Sequence, residues 1–259
     1  MLETLWLREE YKDNFLYIFL FGLIFTIVSA FVTKIVFPSY EGLVSVFLVS
    51  LIGAYPMIRY LRKKEKDEML KRLNEEKLLK RHGDELAIYL SFFLGVVFGF
   101  IVSAYVLPSS YFEIQENVIS GIKSSVSGDI VNNTLLYSIL SNNLWVFTLT
   151  FFISFLFSAG MIFILVWNAS VLGVFLARTS EDIYHMHLLM LSYLPHGILE
   201  ISAYILAGIS GALLSYQIDF YFAKGPYRKS AVIRVLKDSI ILLMSGLGFL
   251  LLAGIVEVL

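Results

Sequence analysis

The sequence predicts an all-α, polytopic helical membrane protein with six clear transmembrane helices and one broken or re-entrant crossing. Of its 259 residues, 58% are hydrophobic, whereas soluble domains typically hold about 45–50% apolar residues. The apolar residues form long runs, and the basic residues are gathered between them. These observations together exclude an ordinary soluble domain.

Six apolar runs are candidates for membrane crossings. A helix needs about 20 apolar residues to cross the hydrocarbon core, and five runs come close to or exceed that length. The sixth, over residues 43–58, is shorter and carries Pro56 near its end. The predicted spans are 15–37, 43–58, 86–107, 144–167, 198–216 and 240–259.

The basic residues predict the orientation of these spans. Ten of the twenty Lys and Arg residues lie between Arg59 and Arg81, and five more lie in the 217–239 loop. The 108–143 loop holds only Lys123. Because short cytoplasmic loops are enriched in Lys and Arg, we expect a multi-pass protein of the cell membrane with a cytoplasmic N-terminus. The first fourteen residues lack the pattern of a cleaved signal peptide.

This orientation requires an additional crossing. The predicted 144–167 span ends inside, yet the 198–216 span must begin outside to end inside. Residues 168–197 contain two short apolar pieces around Arg178–Asp182, which together predict a broken or re-entrant crossing. Seven crossings then place the C-terminus outside. In the alternative, 178–182 is a cytoplasmic turn and six crossings remain.

The chain divides into three predicted segments. Residues 1–61 form an N-terminal transmembrane hairpin, and residues 86–259 form the membrane core. Between them, residues 62–85 have opposite charges at i, i+4 spacing, typical of a solvated cytoplasmic helix that ends at Gly83. A docking surface, or contact of its lysines with anionic lipid, is the alternative.

The motif that carries most functional information is Pro195-His196-Gly197-Ile198-Leu199-Glu200. Ionisable side chains at membrane depth are costly without partners and mark function or specific packing. A helix that begins near Pro195 brings His196 and Glu200 onto one face. We expect a break at Pro195 where two helix ends approach. The expected partners of Glu200 are His196 one turn earlier and Asn143 or Asn168 from a neighbouring span, and a purely structural acid is the alternative.

Catalytic signatures are missing from the sequence. There is no cysteine, no His-Glu-x-x-His and no phosphate-binding glycine loop, so we predict no enzyme, no catalytic residue and no cofactor. Basic residues do not alternate with aromatic ones as in a nucleic-acid surface, so no nucleic-acid partner is expected. Histidine and carboxylate suit a transition metal, and the residues available for that alternative are His185, His187, His196 and Glu200.

Small residues form a stripe along the fifth predicted span. Ala203, Ala207 and Gly211 recur every four residues, and Gly208 lies beside them. Such a stripe permits close approach of neighbouring helices. We therefore predict that this span forms the packing core of the domain.

The carboxy-terminal two-thirds of the chain, from about Gly83 to the end, resembles the stage II sporulation protein M family. The resemblance rests on Ser141-Asn142-Asn143, on Asn168 with Gly173, and on the motif 195–200 leading into Ala203 and Gly208. At Asn168-Ala169 the sequence departs from the usual Asn-Gly, which puts a tight turn there in doubt. The resemblance implies a core of about five spans.

The resemblance also implies a function. Its sporulation member looks like a membrane scaffold for cell-wall-degrading enzymes, so we expect a non-catalytic scaffold or assembly protein. Its expected partners are membrane lipid, a membrane or extracytoplasmic protein, and a second copy of the chain. A small transporter or channel with an intramembrane site at His196 and Glu200 is the second hypothesis. A membrane metal-binding protein or metalloenzyme is the third.

Overall fold

A bundle of long helices makes up the protein. The computed structural model describes residues 15–70, 78–126, 132–180, 182–224 and 229–258, and these ranges contain no β-strand. The predicted all-α class is therefore confirmed. The helices are α1 (Phe15–Val36), α2 (Glu41–Leu70), α3 (Leu78–Val106), α4 (Glu113–Val126), α5 (Asn132–Leu156), α6 (Gly160–Thr179), α7 (Ile183–Lys224) and α8 (Lys229–Val258), with a 3₁₀ turn at Ser109–Phe112.

Six helices are long and apolar enough to cross a membrane, as predicted. They contain the segments Phe15–Val36, Glu41–Tyr60, His82–Val106, Gly160–Thr179, Tyr184–Ile218 and Val235–Glu257. A shorter apolar segment, Leu140–Leu156, lies within α5. At 1.5 Å per residue it is about 25 Å long, slightly less than the hydrocarbon core of about 30 Å.

The predicted 144–167 span is wrong, because the chain turns in its middle. α5 ends at Leu156 and α6 begins at Gly160. The turn is tight: a Cβ atom at Gly160 would lie 2.7 Å from the carbonyl oxygen of Ile153. Since the turn residues are apolar or small, hydropathy continues through them and conceals the change of direction.

The broken crossing predicted at 168–197 is also wrong. Asn168 lies inside the continuous helix α6, and the chain turns near Ser180 and Asp182 instead. Pro195 neither begins nor breaks a helix, because α7 continues through it from Ile183 to Lys224. Proline in a transmembrane helix is tolerated where neighbouring groups satisfy the freed backbone carbonyl. Residues 168–197 therefore contribute to two crossings.

The charged segment predicted as one solvated helix over 62–85 belongs to two helices. α2 extends to Leu70, and α3 starts at Leu78 and continues through Gly83, so the predicted helix end at Gly83 is wrong. Residues 71–77 lie outside the described ranges. His82 and Glu85 are buried rather than solvated, with His82 Nδ1 2.5 Å from Glu85 Oε2. Burial of this pair joins the start of α3 to the membrane core.

Contacts between helices define their directions. The end of α3 meets the end of α6, where Tyr105 and Ser180 share a hydrogen bond of 3.1 Å. α4 lies at the same end of the bundle, which we call the α4 end. α5 runs parallel to α7, since Asn143 contacts Glu200 and Ser158 contacts Ser215. α8 is antiparallel to α7, because Gly246 lies against Ala203 while Ser239 bonds Ser210.

α1 and α3 pack in parallel through glycine. A Cβ atom at Gly22 would lie 2.8 Å from the carbonyl oxygen of Phe92, and one at Gly99 would lie 2.5 Å from Cβ of Thr26. Gly95 likewise lies against the backbone of Phe19. The spacing of Gly95 and Gly99 is the small-xxx-small pattern that permits close helix approach. The N-terminal hairpin is thus packed onto the core.

The middle of α7 is the centre of the bundle. Every residue from 201 to 213 is buried, and the helix contacts α8, α5, α6 and α3. Ser210 and Ser239 hydrogen bond reciprocally across α7 and α8: each hydroxyl donates to the other's backbone carbonyl, at 2.9 and 3.1 Å. The prediction that this span is the packing core is confirmed.

Candidate functional site

The motif acid Glu200 contacts Asn143 across the interface between α7 and α5. The Asn143 side-chain amide donates to Glu200 Oε1, and Asn143 itself is buried. One predicted partner of Glu200 is therefore confirmed. The other, Asn168, donates instead to the carbonyl oxygen of Ile164 in its own helix, at 2.7 Å. A half-buried carboxylate beside an amide donor forms the start of a polar site.

The predicted pairing of His196 with Glu200 is not formed. The His196 ring packs against the Tyr193 ring, with centroids 5.4 Å apart. Pro195 is exposed, and a Cβ atom at Gly197 would meet nothing within 4 Å. This turn of α7 thus faces open space, in contrast to the residues that follow Glu200.

Three further ionisable residues lie in this part of the molecule, and the sequence analysis singled out none of them. Glu257 of α8 lies within electrostatic range of Glu200, and Tyr204 lies within range of both carboxylates. Tyr193 lies within range of Glu257. The rule that singled out Glu200, an acid in an apolar span, also applies to Glu257. It was overlooked because it lies at the end of its span.

The residues considered for a transition metal are not gathered into one ligand set. His185 pairs with Asp182, with Nδ1 2.9 Å from Oδ1, and His187 packs edge-on against Tyr184. His196 and Glu200 lie further along α7, near the partners described above. Within the described ranges, no group of three His, Cys, Asp or Glu residues has the arrangement to hold a metal ion.

Asp182 begins α7 at the α4 end. Its Oδ1 accepts a hydrogen bond of 2.7 Å from the backbone N–H of His185, as at a helix N-cap. This bond, together with the contact to the His185 ring, holds the pKa of the Asp182 carboxyl below its ordinary value. The carboxylate therefore stabilises the first turn of the helix that carries the motif.

The packing residues of α7 contact different neighbours. Gly208 lies against Met161 of α6, and Gly211 lies against the backbone of Phe151 in α5. Ala203 and Ala207 are fully buried, and the Ala203 carbonyl oxygen lies 3.1 Å from a Cβ built at Gly246 of α8. The predicted stripe therefore serves three interfaces and holds Glu200 in a fixed register.

The segment between α3 and α4 is fastened to the bundle at the α4 end. Arg178 at the end of α6 donates to the carbonyl oxygen of Leu107 at 3.3 Å and to Glu116 Oε1 at 3.2 Å. Its guanidinium also lies 5.9 Å from the ring centroid of Phe112. A cation at a helix C-terminus is favourable because the last carbonyls carry partial negative charge. Arg178 thereby connects α3, α4 and α6.

Two buried polar side chains strengthen this attachment. The Tyr111 hydroxyl lies 2.6 Å from Thr33 Oγ1 in α1, and burial raises the pKa of the Tyr111 hydroxyl. Gln115 is fully buried and donates to the carbonyl oxygen of Gly42 at 3.4 Å and to Ser170 Oγ at 3.5 Å. The start of α4 is thus tied to α1, α2 and α6.

Fold and site together define a polytopic helical membrane protein with a polar site within a bundle of long helices. The family model of the stage II sporulation protein M matches residues 88–259. Because this match covers more than half of the chain, the protein belongs to the stage II sporulation protein M family. The matched region contains Asn143, Glu200, Tyr204 and Glu257.

A relative is found among archaeal proteins. The chain is 27% identical over 169 residues to the uncharacterized protein MJ0793 of Methanocaldococcus jannaschii, covering 64% of this chain and 87% of that protein. No solved structure matches the chain. The similarity thus covers most of the length of that archaeal protein.

Proposed function

We propose that the protein is a non-catalytic membrane scaffold that holds a protein partner at its α4 end. The observation that carries this proposal is the attachment of α4. Arg178, Tyr111 and Gln115 fix its start to the bundle, while Glu113 and Asn117 are exposed. A surface that is already rigid loses less conformational entropy when a partner binds to it.

Family membership supports the same function. The sporulation member, as the resemblance implies, organises cell-wall enzymes from the membrane. The orientation predicted by the positive-inside rule places α4 outside the cytoplasm, in reach of an extracytoplasmic partner. Counting α5, which runs parallel to α7, we propose seven crossings with the N-terminus inside and the C-terminus outside.

A photo-crosslinking amino acid at Asn117, introduced in the native host, tests this scaffold function. We expect a discrete protein adduct at Asn117 and none at Leu251, an exposed apolar position of α8 expected to face lipid. Arg178→Met, which removes the contacts to Leu107 and Glu116, should lower the adduct yield. Identical, diffuse adducts at Asn117 and Leu251 would contradict the scaffold.

A small transporter or channel is the second candidate function. It is favoured by the carboxylate of Glu200 inside the span Tyr184–Ile218 and by the open space beside Gly197. Intramembrane ionisable residues commonly mark ion pathways. Solute and proton flux should then appear in proteoliposomes and disappear with Glu200→Gln. Flux equal to that of empty vesicles would count against transport.

A further inference from the structure

The start of α4 lies at the level where four of the spanning helices end. Gln115 of α4 donates to the carbonyl oxygen of Gly42 in the first turn of α2 at 3.4 Å, and the turn before α4 is hydrogen bonded to the last turn of α1. Arg178 in the last turn of α6 donates to Glu116 of α4 at 3.2 Å and to the carbonyl oxygen that follows α3 at 3.3 Å. The four spans that end at this level are Phe15–Val36, Glu41–Tyr60, His82–Val106 and Gly160–Thr179. These contacts place α4 at the boundary of the hydrocarbon core.

The turn between α1 and α2 marks the same boundary independently. Val36, Phe37 and Tyr40 are all exposed there, two residues or more before the Gly42 carbonyl that Gln115 contacts. Exposed aromatic side chains at the end of a span are typical of the membrane–water interface, where their rings lie at the level of the headgroups. The surface next to the start of α4 is therefore a surface that faces lipid.

The sides of α4 differ in chemistry. Gln115 is buried against the bundle, whereas Glu113 and Asn117 are exposed on the far side of the helix. Between the buried side and this polar side lie Ile114 and Val118, which are four residues apart and therefore share one side. These two side chains are 38% and 36% exposed, and we call them the apolar edge of α4.

The apolar edge points away from the ion pair that fastens α4 to α6. At about 100° per residue, Ile114 lies nearly opposite Glu116, the partner of Arg178. In water the apolar edge would expose surface whose burial is favourable, whereas the acyl chains at the membrane boundary would cover it. Because Ile114 and Val118 are uncharged, their attraction to a membrane depends on apolar burial and not on anionic headgroups.

We propose that α4 is an interfacial helix, with Ile114 and Val118 in contact with the acyl chains of the lipid bilayer and with Glu113 and Asn117 directed at water. The occupant of the apolar edge is lipid, and the polar side of α4 stays accessible at the membrane surface. This inference goes beyond the scaffold function, because it holds whether or not a protein partner binds α4.

Nitroxide accessibility in the full chain, reconstituted into phosphatidylcholine vesicles, tests this position of α4. The chain has no cysteine, so a single spin label can be attached at Val118→Cys and, as the matched control, at the neighbouring Asn117→Cys. Collisions with oxygen, which concentrates in lipid, are compared with collisions with a water-soluble nickel chelate. We expect the ratio of oxygen to nickel accessibility to be several-fold higher at Val118 than at Asn117. Ile114→Cys should resemble Val118→Cys.

Ile114, Asn117 and Val118 are all exposed, so labels there should leave the fold intact. Equal ratios at Asn117 and Val118 would overturn the proposal, because α4 would then be surrounded by water. Low accessibility of Val118 to both reagents would overturn it too, because a second copy of the chain would then cover the apolar edge. The vesicles contain no partner protein, so this result is independent of the crosslinking that tests the scaffold function.

Discussion

Two regions of the same helix differ in how they meet their surroundings. Along residues 201–213 of α7 every side chain is buried, and glycine and serine allow three neighbours to approach. Along residues 193–200 the helix carries Pro195, His196 and Glu200, and space is open beside Gly197. Close packing therefore dominates in residues 201–213, whereas polar and charged side chains dominate in residues 193–200. The same glycine-to-leucine substitution should therefore change the free energy of unfolding in opposite directions in the two regions.

The largest effect is expected from adding volume in the middle. In Gly211→Leu the new side chain would collide with the backbone of α5, since a Cβ atom there would lie 2.9 Å from the Phe155 nitrogen. Overpacking of this kind costs about 3 kcal/mol or more where backbone must move. The free energy of unfolding in detergent measures this loss.

Gly197→Leu is the matched control in the other region. No atom lies within 4 Å of its new Cβ, and replacing glycine in a helix is favourable by about 1 kcal/mol. We expect unchanged or slightly increased stability. A loss as large as that of Gly211→Leu would break the distinction between the two regions.

The next largest effect on stability is expected from substitutions of Glu200. Glu200→Ala leaves the buried Asn143 amide without its acceptor, which costs about 1–3 kcal/mol of unfolding free energy. Glu200→Gln keeps an acceptor and should cost less. Chemical unfolding of both variants decides the matter: equal stability of the alanine variant and the parent protein would show that the bond to Asn143 contributes nothing.

A smaller effect on stability is expected from the hydroxyl groups that join the middle of α7 to α8. Ser210 and Ser239 bond each other reciprocally. A double-mutant cycle with Ser210→Ala and Ser239→Ala should give a coupling of about 0.6 kcal/mol, the average for such pairs in membranes. Strictly additive single effects would indicate that the two hydroxyl groups act independently.

The smallest expected effect is a dependence on pH of the stability of the first turn of α7. The pKa of Asp182 is lowered in the folded protein, so its stabilisation is complete above the ordinary value of about 4. It is lost as pH falls below that value through the lowered pKa. The protection of the His185 amide from exchange, relative to an unstructured peptide at the same pH, should fall in this range. Asp182→Asn should remove the pH dependence, and its persistence would assign it to another group.

The number of long apolar helices could be predicted from composition, but the position of the turns could not. Hydropathy continues from α5 into α6 because residues 157–160 are Phe-Ser-Ala-Gly. Conversely, Pro195 indicates a break that the packing around α7 does not produce. The charged segment also ends at a different residue from the one predicted, because His82 and Glu85 pair with each other and are buried.

The candidate site could be predicted in part. The acid Glu200 and its amide partner Asn143 stand out as polar residues in apolar surroundings. Tyr204 lies one turn after Glu200 on the same helix, a spacing that the sequence contains. Glu257 comes near Glu200 only because α8 returns antiparallel to α7, a tertiary relation that no local pattern contains. His196 lies one turn from Glu200, yet its ring packs on Tyr193 instead.

The difference between the two regions of α7 is tested most directly by cysteine reactivity. The chain has no cysteine, and the helix offers three serines for nearly isosteric replacement: Ser192 is exposed, whereas Ser202 and Ser210 are buried. Asn117→Cys on exposed α4 is the reference. With a small maleimide that enters lipid, we predict that Ser192→Cys reacts faster than the other two, which are packed between helices. Equal labelling rates at 192, 202 and 210 would contradict a closed middle and an open end.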